Sequence, residues 1–247
     1  RAGALVGQHG AGDRDALGDR DLGGHAAPRV LPGLTLEGLD VLVCEASPQA
    51  GGTAATSAGT VWIPGNQQGQ RAGLGDTVDA GRRYLKALIG SNERDVLRDA
   101  YLENAPKVIE YLRQHSRVRF VPCEMHPDYQ DLPGAATAGR AMSPEPFDGR
   151  VLGRAFARVR APIQEFLILG GMMAGKEDIP RLVGRFRSVR NFAHSAGLFL
   201  RYVLDRASGY GRGTRLVMGN ALVARLFASL RDRKVPILFE TRLVEIL

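Results

Sequence analysis

The residues best placed to do chemistry begin with Glu45, which ends the apolar run 39–45, Leu-Asp-Val-Leu-Val-Cys-Glu. A carboxylate at the C-terminal end of a strand can accept two hydrogen bonds from the vicinal hydroxyls of a ribose. Gly51 and Gly52 follow shortly after it, and glycine lets a backbone approach a ligand with no Cβ in the way. Together these residues meet the needs of a dinucleotide site, and equally those of an ordinary strand-to-helix turn. Tyr129 lies beside Asp128 in a Pro- and Gly-rich stretch. A phenol, with an ordinary pKa of about 10, must be lowered by its neighbours to act as a base; the plainer reading of Tyr129 is a ring that packs. The plainer reading of Asp128 is a solvated loop acid, the alternative being that it orients the phenol. Thr53 and Ser57 serve as turn or cap residues as readily as ligands. His9, His25, His115, His126 and His194 share no spacing, so neither a metal ion nor an imidazole base is assigned. Cys44 and Cys123 form no CxxC pair and read as reduced thiols of a cytoplasmic protein, a single disulfide being the alternative.

The elements that must position these groups alternate between strand and helix, which predicts an α/β fold. The run ending in Glu45 reads as a buried parallel strand. Asp76 is a good N-cap for a helix to about Ile89. Asn92 caps a second to about Asn104, and Pro106 opens a third to about Gln114. A short strand follows at Val118–Val121. Residues 122–160 carry five prolines and many glycines, which predicts a long irregular loop of the kind that often holds function. Helical pattern returns at about 163–169, 179–186, 192–205 and 221–231, and strands close the chain at Ile237–Glu240 and Leu243–Leu247. Residues 1–33 have no helical or strand period and read as loop or disorder. The formal charge of +7 comes mostly from arginines spread along the chain. That is a solvated surface rather than a nucleic-acid footprint, since no recognised module accompanies it. No run is long and apolar enough to span a membrane.

Several short motifs, in order, carry a more specific pattern. Val41–Glu45, Gly51-Gly52-Thr53 and Ser57-Ala58-Gly59-Thr60-Val61-Trp62-Ile63-Pro64 are followed by Pro127-Asp128-Tyr129, Leu132-Pro133-Gly134 and Gly139-Arg140. Pro146–Gly153, Arg212-Gly213, Gly219-Asn220-Ala221-Leu222 and Thr241 complete it. The chain from about Leu34 to Leu247 thereby resembles the fumarate reductase and 3-ketosteroid dehydrogenase flavoproteins. The Trp-Ile-Pro and Pro-Asp-Tyr segments favour the steroid side. The resemblance implies a partial Rossmann-like FAD-binding domain over residues 34–247, with a helical insertion across about 76–115. It implies FAD as cofactor, with Glu45 and Ala46 at the adenosine ribose and Gly51, Gly52, Thr53, Ser57, Ala58 and Gly59 along the pyrophosphate and flavin. Leu243, in a strand, would offer main-chain groups to the adenine, and Tyr129 would stand at the substrate end of the flavin, beside the proton-abstracting tyrosine. The implied reaction is oxidation of a steroid-like ketone, a small-molecule substrate, by hydride transfer to flavin.

Two features depart from the pattern. The Gly-x-Gly-x-x-Gly fingerprint belongs roughly 20–30 residues before Glu45, where the sequence offers Leu17-Gly18-Asp19-Arg20-Asp21-Leu22-Gly23-Gly24. The family's second flavin segment and catalytic tyrosine would fall after Leu247. The abrupt change near Gly33 is what a frameshift upstream of it, in a disrupted gene, would produce. The expectation is therefore a fragment of a flavoprotein dehydrogenase, the alternatives being a non-catalytic remnant that keeps no FAD and a fumarate reductase-type protein.

Overall fold

The computed structural model describes residues 2–6, 40–91 and 93–245; the glycine runs at 7–12 and 17–24, and Asn92, lie outside them. Strand β1 (Ala2–Val6) lies within the stretch that reads as loop from its sequence. Local pattern is weak there, and pairing along its whole length with β2 (Val41–Glu45) is what makes it a strand. The pairing is antiparallel, Ala2 opposite Glu45. On the other side of β2 lies β10 (Ile237–Phe239), parallel, with Ile237 opposite Val43. This sheet ends in two hydrogen bonds that carry the chain past Glu45: Thr241 N donates to Glu45 O at 3.0 Å and Glu240 N to Ser47 O at 3.2 Å. Residues 241–245 then form no strand, in contrast to the expectation for 243–247.

A second sheet is built from β3 (Val61–Trp62), β4 (Phe120–Pro122) and β5 (Ala141–Pro144), all antiparallel, with β5 central. Between β3 and β4 run α1 (Gln67–Arg71), α2 (Val78–Ile89) and α3 (Asp95–His115). The cap of α2 is Thr77, whose hydroxyl accepts from Ala80 N at 3.1 Å. Asp76 is drawn instead into a buried ion pair, because neutralising a guanidinium inside the protein outweighs a cap that the next residue can supply. The two helices expected over 92–114 are one. Pro106 removes its own N–H from the ladder, yet the helix is continuous through it, with Leu102 buried facing α2 before it and Ile109 in the core under the second sheet after it.

The stretch 122–160 is less irregular than its prolines suggest, since it contains β5, β6 (Phe147–Asp148) and a kinked 3-10 helix, Gly149–Arg158. The helix expected at 163–169 is a 3-10 turn leading into β7 (Leu167–Ile168), which pairs with β8 (Met172–Met173). Leu169 and Gly170 both take positive φ and reverse the chain there. Next come α4 (Ile179–Val183), α5 (Val189–Ala207), β9 (Arg215–Leu216) and α6 (Met218–Asp232).

Helix α6 is the organising element. Small residues Ala221, Ala224 and Ala228, with Val223 and Phe227, pack into the largest core beside Phe147, Leu152, Phe156 and Leu216. Arg225 spans out of that core and donates to the carbonyls of Arg117, Glu145 and Pro146 at 2.7, 3.2 and 2.9 Å, tying α6 to the strand ends. A smaller core of Ile63, Ile109, Val118, Phe120 and Met142 lies under the second sheet. No described helix is long and apolar enough to cross a membrane.

Candidate functional site

Glu45, at the end of β2, is 4% exposed. Its Oε1 accepts the Ser47 amide at 2.9 Å, so the turn that breaks the strand also aims the carboxylate. Ala46 beside it is exposed. The chain then reaches Gly51 (φ +125°), where a Cβ would come within 2.8 Å of Ala55 and Val223 side chains; only glycine lets the loop lie on α6. Gly52 (φ +46°) has nothing within 4 Å of its would-be Cβ, so its backbone is open to a ligand.

A 3-10 turn at Ala54–Thr56 is closed by local bonds, with Ser57 Oγ donating to Ala54 O at 2.9 Å and accepting from Gly59 N at 3.1 Å. Thr53 and Ala58 are exposed on this turn. Its underside rests on the first turn of α6. Gly59 (φ +69°) and Gly219 meet backbone to backbone, a Cβ on Gly59 coming within 2.7 Å of Gly219 Cα. Gly219 N donates to Ser57 O at 3.0 Å, and Asn220 Nδ2 to Ala55 O at 3.0 Å. The result is a rigid backbone ledge with an open glycine and a buried acid at one end. A ribose can be gripped by the acid and a phosphate chain can run along the ledge, so the chain's residues fit a dinucleotide. Leu243 is exposed in the irregular stretch that Thr241 ties to Glu45.

Tyr129 is on a different loop, 123–140, and is 97% exposed. Asp128 next to it is buried, which corrects its reading as a solvated acid. Its Oδ1 accepts the Trp62 indole N–H at 2.8 Å, while Oδ2 accepts from Arg140 Nη1 at 2.7 Å and Ala136 N at 3.0 Å. Arg140, 1% exposed, also forks onto Asp76 at 2.7 and 3.2 Å and donates to Gly134 O at 2.9 Å. Its guanidinium lies 5.3 Å from the Trp62 ring and 5.8 Å from the Tyr84 ring. Asn66 Nδ2 donates to Gly139 O at 2.6 Å, and Gly134 sits so close over α2 that a Cβ would meet Tyr84 N at 2.8 Å. Tyr101 donates its hydroxyl to the Trp62 carbonyl, and burial pushes its pKa up. These bonds pin the loop that bears Tyr129 to the strand that leaves the glycine ledge, since Trp62 follows Gly59 by three residues.

Thus Gly51, Gly52, Thr53, Ser57, Ala58 and Gly59 lie on one loop seated on α6, shortly after the buried Glu45, while Tyr129 lies on a separate loop whose Asp128 bonds the Trp62 indole. The supporting roles of Asp76, Arg140 and Asn220 were not assigned from sequence, although Gly139-Arg140 and Gly219-Asn220 stand among the motifs that pointed to the fold. Cys44 and Cys123 are each free, and burial raises the Cys123 thiol pKa.

A family described as an FAD binding domain matches residues 32–247. Among similar proteins is a 3-oxosteroid 1-dehydrogenase of Mycolicibacterium smegmatis, 33% identical over 85% of this chain and 36% of the relative. Another is a 4-oxocyclohex-2-ene-1-carboxylate 5-dehydrogenase of Sinomonas cyclohexanicum, 34% identical over 81% of this chain and 33% of the relative. The crystal structure of a 3-ketosteroid delta1-dehydrogenase from Sterolibacterium denitrificans, in complex with 1,4-androstadiene-3,17-dione, superposes with a TM-score of 0.69 at 35% identity. It matches 82% of this chain and 36% of that one. The chain spans about a third of the length of these relatives.

Proposed function

This chain belongs to the FAD-binding domain family, and from that membership we propose that it supplies the cofactor-binding part of a dehydrogenase acting on a ring ketone of the steroid type. The observation that carries the reading is the buried Glu45 at the foot of the glycine ledge 51–59, seated on α6. Glu45 holds the adenosine ribose by its carboxylate. The open backbone of Gly52 and the exposed faces of Thr53 and Ala58 run along the pyrophosphate and towards the flavin. Residues 241–245, with Leu243, follow the same edge beside Glu45. FAD supplies hydride acceptance at the flavin N5 when bound.

Tyr129 stands at the substrate end, where its hydroxyl supports removal of a proton next to the ketone. The Asp128–Arg140–Trp62 lattice fixes its loop, so the backbone that bears the phenol is already ordered when substrate arrives. The substrate class rests on the names of the similar enzymes, which share a ketone on a ring and dehydrogenation beside it. The fold is a Rossmann-like domain over 34–247, with α2 and α3 as its helical insertion, and β1 from the preceding segment joins its sheet beside β2. The antiparallel pairing of β1 favours a second reading, a remnant without retained FAD, because a dinucleotide fold runs its first strands parallel.

The visible spectrum of the purified chain, taken after incubation with FAD and desalting, separates the two. A flavin band that is lost in Glu45→Ala supports the first reading. A colourless protein sinks it.

A further inference from the structure

Arg212 is the inner wall of a cavity of about 590 Å³ between the 3-10 helix 149–158 and the turn that follows α5. Its Nη2 donates to Asn220 Oδ1 at 3.0 Å and more weakly to Val159 O at 3.4 Å. Nη1 is buried with no hydrogen-bond partner. The other well-buried arginines each have a carboxylate: Arg140 has Asp76 and Asp128, Arg215 has Asp178, and Arg225 has Glu145. Arg212 has none among the described residues, only the Phe156 ring 4.6 Å away. Burial without a counter-charge lowers its pKa to about 10. A buried cation lacking a partner is costly, and protein chains ordinarily avoid it.

The cavity has the composition that would remedy this. Its lining includes a second arginine, Arg154, together with Gln49 and Ser208, and no acid. Tyr210 and Phe156, edge to face at 5.5 Å, form an aromatic wall. Its volume falls in the range of small-molecule sites. We infer that this cavity binds an oxyanion, a phosphate or carboxylate group carried on a small organic molecule, with Arg212 as its inner partner and Arg154 at the rim. The cavity is reached from Gln49, four residues after Glu45, so the oxyanion belongs either to the bound cofactor or to a separate anionic ligand. The binding site itself stands whether or not the chain retains FAD.

The test is calorimetric titration of the whole chain with inorganic pyrophosphate and with cyclohexanecarboxylate, each with and without prior FAD. At least one probe is expected to bind. Arg212→Gln should weaken that binding about tenfold or more, the loss expected for a charge-assisted hydrogen bond. Arg154→Gln, at the rim, should weaken it severalfold, and Arg187→Gln, on exposed backbone before α5, should leave it unchanged. Without an anion, Arg212→Gln should melt no lower than the native chain, because it removes an uncompensated charge. Binding that FAD abolishes assigns the oxyanion to the cofactor, and binding that persists assigns it to a separate ligand. No binding of either probe, or equal affinity in Arg212→Gln, overturns the site. If Arg212→Gln fails to fold, unchanged affinity in Arg154→Gln does so instead.

Discussion

Replacing Arg140 by Met should be among the most damaging single changes in this chain. The side chain is 1% exposed, and the carboxylates of Asp76 and Asp128 are 5% and 4% exposed. Methionine fills much of the volume but leaves two buried acids with no cation, and it removes the charge over Trp62 and Tyr84. Breaking a buried pair from one side costs about 3–5 kcal/mol, against a total stability of about 5–15 kcal/mol for a domain. With a urea m-value of about 2 kcal/mol/M, the midpoint should fall by roughly 2 M. Trp62 is the sole tryptophan and donates to Asp128, so its fluorescence reports the transition from within the lattice. Replacing Asp76 and Asp128 by Asn in the same chain should recover most of the loss. A gap under about 1 kcal/mol, or no recovery on replacing both acids, refutes an electrostatic role for the lattice.

Three further outcomes follow from the same geometry. Gly219→Ala places a methyl against the Ala54 carbonyl oxygen and within 2.8 Å of Ser57 Oγ, so it should unseat the glycine ledge, lower the melting temperature and remove any FAD retention seen by absorbance. Glu110 is held at a pKa of about 2 by its hydrogen bonds to Arg113 and Gln114. Its folded value is below the ordinary one, so its contribution is present above about pH 4.5 and lost as pH falls through about 2; a carboxyl NMR titration showing an ordinary midpoint would contradict this. Tyr129→Phe should leave stability unchanged within about 0.5 kcal/mol, since the ring is 97% exposed. Any turnover of a ring ketone by a protein containing this chain should nevertheless fall, and unchanged turnover would remove Tyr129 from the site.

The parts that could be read from sequence were those set by local rules. An apolar run ending in an acid became β2 with Glu45 buried at its end, and the amphipathic stretch 221–231 became the core of α6. The parts that could not be read were set by distant partners. Asp76 has every local mark of a cap, and only Arg140, 64 residues away, decides that Thr77 caps instead. Asp128 looks like a loop acid until the Trp62 indole and the Arg140 guanidinium are brought to it. Pro106 looks like a helix start, yet the contacts of Leu102 and Ile109 carry the helix through it.

The same distinction explains why neighbouring residues 128 and 129 have opposite fates. The Asp128 carboxylate accepts three hydrogen bonds within the lattice, and its loop is further fixed at Gly134 and Gly139. A loop anchored this heavily carries an ordering cost far beyond what holding up one exposed phenol would require for stability alone. Tyr129 contributes almost nothing to the core it is attached to. Its position is thus maintained by a buried ionic lattice that does not need it, which is the arrangement expected of a side chain kept for what it meets in solution rather than for what it packs against.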